Sequence, residues 1–277
     1  MAITPHLTRY ASQDVTLLGD VRRPGGVTLA FTERTGGYSL PPYASLNLGD
    51  ACGDDERVVV ANRRRLLGAL GISQLAPRLV NPRQVHGSEV LVITEGTDAA
   101  VARAQAASRE GVDAIVCAVA DVPVLLCFAD CVPVVLVANG AFAVVHSGWR
   151  GTIVRIVARA LERLCEVAGC KASDVLCYVG PHIGVDDYEV HADLAARFVS
   201  EFGPDVAIDG CHLDLGLAVR RTLMECGMTP GQISDECPST ASCTRRFFSF
   251  RAEGGTCGRI GAIAVLATDI HEGSDIR

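Results

Sequence analysis

No cluster of basic residues stands out in this sequence: its longest Lys/Arg run is the triplet Arg63-Arg64-Arg65, and 25 Lys and Arg face 32 Asp and Glu, a net charge of −7. That balance leaves no electrostatic footprint for a phosphate backbone and excludes nucleic acid as a partner. Cysteine density is low for a cross-linked scaffold. Twelve cysteines in 277 residues fall below the roughly 8–10% of small secreted disulfide domains, and no secretory segment is read at the start. The expectation is reduced thiols in the cytoplasm. Internal repeats, low-complexity tracts and long Gly/Pro linkers are missing as well, which predicts a single domain over residues 1–277. An unbroken apolar run of membrane-span length is also lacking. The stretch 122–145 approaches the ~20 residues a spanning helix needs, but Pro123, Asp130, Pro133 and the pair Asn139-Gly140 interrupt it. Such residues break a helix or are costly in lipid, so the stretch reads as buried sheet and no membrane partner is expected.

What the chain does have is apolar bulk, with 49% hydrophobic residues, enough for a substantial core. Apolar segments bounded by turn signals predict strands over 114–119, 122–128, 133–138 and 141–146, and a late strand over 260–267. Ile153, Ile156, Val157, Ala160, Leu161 and Leu164 recur at helical spacing and stop at Gly169, predicting a helix over 152–167. Further helices are expected over 55–70, 191–202 and 215–226. The fold class implied is α+β, with mixed β-sheets flanked by helices.

The most informative local feature is Asn139-Gly140 between two apolar runs, the signature of a two-residue type I′ hairpin. If residues 138 and 141 flank the turn, Val135 faces Val144 and Pro133 faces His146. Cys131 then shares a face with Pro133 and becomes a diagonal cross-strand neighbour of His146, with Cα atoms about 7–8 Å apart. A thiolate and an imidazole so placed can share a zinc ion, with Zn–S near ~2.3 Å and Zn–N near ~2.0–2.1 Å. The plain alternative is a buried thiol and a core histidine. Against it, Cys131 follows an acidic residue in an apolar run, and His146 enters a Ser-Gly-Trp-Arg-Gly turn, the kind of strand end where sites are built. A third donor is available in Gln84-Val85-His86-Gly87, although spacing does not decide whether His86 meets the other two. His182, His191 and His212 have no Cys or His partner at metal spacing and read as structural or surface residues.

These residues belong to a larger set. Val85-His86-Gly87, Ala129-Asp130-Cys131, His146-Ser147-Gly148-Trp149-Arg150-Gly151, Gly180-Pro181-His182-Ile183-Gly184 with Tyr188-Glu189-Val190, and Phe247-Phe248-Ser249-Phe250-Arg251 resemble the YfiH-type laccase-domain family. Its early segment appears as Arg34-Thr35-Gly36-Gly37 and Tyr43-Ala44-Ser45-Leu46-Asn47-Leu48-Gly49. The blocks run in family order from about residue 31 to 267. Three departures stand out: Ser147 replaces a frequent Ala, Phe250 a frequent Tyr, and Val185-Asp186-Asp187 a Pro-Cys-Cys-like run.

The resemblance implies a single α+β domain and a zinc ion held by His86, Cys131 and His146. It further implies purine nucleoside phosphorylase activity on adenosine, inosine and methylthioadenosine, with adenosine deaminase activity, so that purine nucleosides and phosphate are the expected partners. Zinc with three protein donors keeps one position open and lowers the pKa of a bound water to about 7, which suits deamination. Asp130 is the nearest acid for proton transfer, although on a regular strand its side chain leaves the face opposite Cys131. Phosphorolysis asks for an anion site. Arg150 near a glycine-bearing turn, with Arg34, Arg251 and Arg259, are candidates for it, and Asn47 joins the substrate-binding set. Trp149 is placed to stack on a purine.

Two other chemistries use the same atoms. Two His and one Cys also make a blue-copper set, and the family's name points to a copper-dependent polyphenol oxidase. Yet none of the seven histidines forms a His-X-His pair of the kind that feeds a trinuclear cluster, and Met1, Met224 and Met228 lie far from the hairpin in sequence. The other is a Cys131 thiolate activated by His146, giving a thiol hydrolase or amidase.

Overall fold

A computed structural model describes residues 4–268. Its strands are β1 (Thr8–Ser12), β2 (Val15–Gly19), β3 (Val27–Thr32), β4 (Val90–Ile93), β5 (Ala114–Cys117), β6 (Val124–Phe128), β7 (Val132–Ala138), β8 (Ala141–Ser147), β9 (Leu176–Val179), β10 (Ala207–Ile208), β11 (His212–Leu213), β12 (Ile233–Ser234) and β13 (Ile260–Leu266). Its α-helices are α1 (Glu56–Ala69), α2 (Asp98–Ser108), α3 (Trp149–Ile153), α4 (Ile156–Ala168), α5 (Ala192–Phe202) and α6 (Leu215–Glu225).

The strands form a five-stranded antiparallel sheet in the order β1-β2-β3-β13-β6 and a six-stranded mixed sheet in the order β12-β9-β7-β8-β5-β4; β10 and β11 pair separately. Side chains alternate across each strand, and the alternation sorts the core. Ile115, Val135, Val137, Phe142, Val144 and Tyr178 of the six-stranded sheet meet Leu29, Phe31, Leu126, Phe128, Ala262 and Ala264 of the five-stranded one. The intervening residues of the six-stranded sheet, such as Val134, Leu136, Ala143 and Val145, pack on α4, α5 and α6. Beneath the five-stranded sheet, Leu17, Ala30, Ile263 and Val265 pack on Leu66 and Leu67 of α1. The result is four layers, helix–sheet–sheet–helix, with α+β character as expected. Strands apolar on both faces are what two-sided burial demands.

The hairpin register is the one read from Asn139-Gly140, with Val135 paired to Val144 and Pro133 to His146, but the turn is not type I′, since Gly140 (φ 72) is left-handed and Asn139 is not. Asp55 caps α1 by accepting from Arg57 N, and Gly169 ends α4 at φ 62. The helix expected over 152–167 is corrected. It begins earlier, as α3, and breaks at Arg155, a left-handed residue (φ 57, ψ 45), before α4 resumes. Apolar periodicity survives this break because α4 carries all of the stripe that covers β8 except Ile153, while α3 turns the chain off the sheet end. The apolar stretch 122–145 is sheet, and among the described residues no helix is long and apolar enough to cross a membrane.

Candidate metal centre and its cleft

Where β7 and β8 end together, the alternation that points Val144 between the sheets also points His146 there, and its ring lies 5.3 Å from that of Phe128. Cys131 sits just before β7. The residue ahead of it, Asp130, has φ 84, so the strand expected to carry both has ended and the face argument no longer applies to Asp130. His86 comes from the loop before β4, also left-handed at φ 59, and packs its ring edge-on to His146 at 4.8 Å. The donor atoms of His86, Cys131 and His146 all lie within 4.8 Å of one another, and among the described residues they are the one such group. Positive φ in non-glycine residues is costly and tends to concentrate at functional sites.

Asp113 is what holds this arrangement. Fully buried at the mouth of β5, it bonds His146 Nδ1 through Oδ1 at 2.8 Å. The same carboxylate accepts from the main-chain N–H groups of Val85, His86 and Gly87 at 3.1, 2.9 and 2.7 Å. One side chain thus orients one imidazole and secures the loop that carries the other, the arrangement expected of a carboxylate behind metal-binding histidines. The sequence reading missed it. The available signal was an acidic residue directly ahead of an otherwise apolar strand, a place where an unpaired carboxylate would be expensive.

Electrostatics matches the geometry. Burial pushes the Cys131 thiol up, but the His146 charge and hydrogen bonds from His146 and His86 outweigh it, bringing the thiol down to about 6. Burial pulls His146 down, yet the Cys131 thiolate and Asp113 raise it to about 9. Burial also works against an ionised Asp113, but its bonds to His146 and the loop amides hold it below the usual carboxylate range. A thiolate and two imidazoles suit zinc or copper. Space is reserved as well: a Cβ on Gly148 would come within 2.9 Å of both Cys131 Sγ and His86 Cδ2.

The donors open on a cleft of about 600 Å³. Arg150 and Arg251 line it, as expected, and so do Arg259, Trp149, Tyr188 and Phe250. Arg150 lies over the Trp149 ring at 4.4 Å, and its guanidinium forms no hydrogen bond or ion pair among the described residues. Arg251 lies over Tyr188 at 5.1 Å and donates to Glu189 O at 2.8 Å.

Three expectations change on the structure. Arg34 does not line the cleft: its guanidinium is consumed by Glu253 and the carbonyls of Ala44 and Thr244. Asn47 is fully buried and braces the Gly49 turn, accepting from Gly49 N and Arg259 N and donating to Asp54. Both are scaffold, and neither is carried forward as a phosphate or substrate ligand. Asp130 lines the cleft but has each carboxylate oxygen engaged, by the Thr240 hydroxyl at 2.6 Å and Arg251 N at 2.7 Å. His182, bonded to Gly180 O, joins no donor group.

A His-Cys-His donor set at the end of a two-sheet core, graded from exposed His86 to buried His146, defines a class of metal-site proteins. Residues 28–267 match the family described as multi-copper polyphenol oxidoreductase laccase, and the chain belongs to this family, that of the YfiH-type laccase-domain proteins. It is 35% identical over 242 residues to a purine nucleoside phosphorylase of Deinococcus radiodurans, covering 86% of this chain and 88% of that one. It is 34% identical over 226 residues to adenosine deaminase RL5 of an unknown prokaryotic organism, covering 78% and 85%. The crystal structure of YlmD from Geobacillus stearothermophilus superposes with a TM-score of 0.79 at 30% identity, covering 94% of this chain and 99% of that one.

Proposed function

We propose that the protein is a zinc-dependent purine nucleoside phosphorylase acting on adenosine, inosine and methylthioadenosine, with adenosine deaminase activity in the same cleft. The observation that carries this reading is the three-donor set of His86, Cys131 and His146, with no fourth protein donor beside it among the described residues, opening on a cleft that holds unpaired Arg150. The names of the relatives support the activity. Zinc held by these three residues would supply Lewis acidity. The aromatic faces of Trp149, Tyr188 and Phe250 suit a purine ring. Arg150 offers its guanidinium to phosphate, whose charge it matches. Asp130 fixes the Arg251 main chain through its second oxygen, so in this reading it positions Arg251, in place of the proton-transfer role its sequence position suggested.

The test is metal content and product analysis on one purified sample, given adenosine and inosine with and without phosphate. Near-stoichiometric zinc with phosphate-dependent release of adenine or hypoxanthine is expected, together with conversion of adenosine to inosine. Copper with oxygen consumption on phenols would overturn the reading in favour of the oxidase that the family description suggests.

One observation favours a second reading. Cys131, brought down to about 6 beside His146, has the makings of a thiol nucleophile. Metal-free protein as isolated, with hydrolysis of an amide or ester lost on alkylation of Cys131, would establish that chemistry.

A further inference from the structure

Two separate groups of arginines face the cleft. Arg150 and Arg251, against Trp149 and Tyr188, form one beside the metal donors. The other gathers around Asp50. Arg109 meets its carboxylate at 3.1 Å and Arg63 at 3.4 Å, while Arg259 lies so close over the neighbouring Gly49 that a Cβ there would come within 2.6 Å of Arg259 Cγ. Arg83 extends this side, its guanidinium donating only to the main-chain oxygens of Arg109 and Glu110. Across the whole cleft five arginines line the wall against two carboxylates, Asp50 and Asp130, in a chain whose net charge is −7. Positive charge has been concentrated where the rest of the molecule is negative, which favours anionic ligands.

The Asp50 corner also holds a polar atom with nothing to bond. Asn81 Oδ1 is buried without a hydrogen-bond partner, and Asn81 O is itself 3.4 Å from Arg109 Nη1, whereas Arg63 Nη2 makes no hydrogen bond but is ion-paired with Asp50. A buried acceptor left unpaired costs free energy that a hydroxyl of the ligand would return. Phosphorolysis of a nucleoside brings one anion into the cleft, since the nucleoside is neutral. Arg150 and Arg251 suffice for it, and the Asp50 group is left over.

We propose that the Asp50 corner, with Arg83, Arg109 and Arg259, is a subsite for a phosphate monoester carried by the substrate, so that the cleft takes nucleoside 5′-monophosphates as well as nucleosides. This rests on the phosphorylase reading. With adenosine 5′-monophosphate, an oxygen of inorganic phosphate bonds to C1′ as the C1′–N9 bond breaks. The purine leaves with the electron pair and takes up the proton given up by the phosphate. The products are adenine and ribose 1,5-bisphosphate, with no change of oxidation state.

The experiment uses the full-length metal-loaded protein with three probes: adenosine, adenosine 5′-monophosphate and inorganic phosphate. Binding is measured by calorimetry and adenine release is followed in parallel. The monophosphate is expected to bind tighter than adenosine by about tenfold or more, the worth of a charge-assisted contact. Arg109→Ala should abolish most of that preference and Arg109→Lys should retain part of it. Arg83→Ala, a second site in the same corner, should lower it too if Arg109→Ala fails to fold. A monophosphate that binds no tighter than adenosine overturns the proposal, as does a preference that survives these variants. If the variants weaken inorganic phosphate while the two purine ligands bind alike, the corner belongs to the co-substrate and the proposal also falls. Failure to split adenosine would instead sink the phosphorylase reading, while the binding comparison still decides the subsite.

Discussion

The metal corner and the arginine wall of the same cleft are built to different tolerances. In the corner, His146 issues from a buried strand, Asp113 spends both oxygens on four hydrogen bonds, and Gly148 leaves no room for a side chain. On the wall, Arg150 and Arg251 are exposed and rest on ring faces at 4.4 and 5.1 Å. Metal binding punishes displacements of a few tenths of an ångström, so its donors sit at strand ends and in a tethered loop. Recognition of an anion by charge falls off slowly with distance, so long mobile side chains serve. In the proposed reading the corner sets the chemistry and the wall tunes the substrate.

The sharpest break is removal of a donor. Cys131→Ala or His146→Ala should abolish metal retention after dialysis and reduce nucleoside cleavage by at least about a thousandfold, with far-ultraviolet circular dichroism unchanged. Elemental analysis showing full zinc occupancy in either variant would remove that residue from the site. Next comes Asp113→Ala, which touches no substrate and should weaken metal affinity about 10–100-fold, measured by competition with a chelator. An unchanged affinity would mean that the loop amides and imidazole hold position without it.

A pH experiment probes the same corner from its charge. In the metal-free protein a thiol brought down to about 6 remains thiolate at neutral pH. Alkylation of Cys131 should therefore rise through about pH 6 and level off well below the ~8.5 of an ordinary cysteine. Since the folded group is shifted down, its reactivity disappears as the pH falls through 6, and bound zinc should suppress it at every pH. The smallest expected effect on the metal belongs to the wall: Arg150→Ala should leave zinc content intact while raising the KM for phosphate about tenfold. Loss of zinc in that variant would erase the distinction between corner and wall.

Much of this site is legible in the sequence, and the boundary of what is legible is physical. The Asn139-Gly140 turn set the β7–β8 register because a two-residue loop leaves one way to pair the strands, so the meeting of Cys131 and His146 followed from local geometry. Helices α1, α5 and α6 and strand β13 lie where the sequence places them. The kink at Arg155 was not, because one left-handed residue leaves the apolar spacing of α4 intact. The need for an anion site brings Arg34 forward as a ligand and Asn47 joins the substrate-binding set, yet residue type alone does not say whether a side chain faces a cleft or is used up in holding loops together. The sequence by itself determined the alternation, the turn and hence the Cys-His pair. Only the tertiary structure decided the rest: that His86 completes the set, and that Asp113 binds residues 26 to 28 positions before it and another 33 after it. Those contacts depend on how the sheet edge and a loop are packed together, and packing is a property of the whole chain that no short-range pattern encodes.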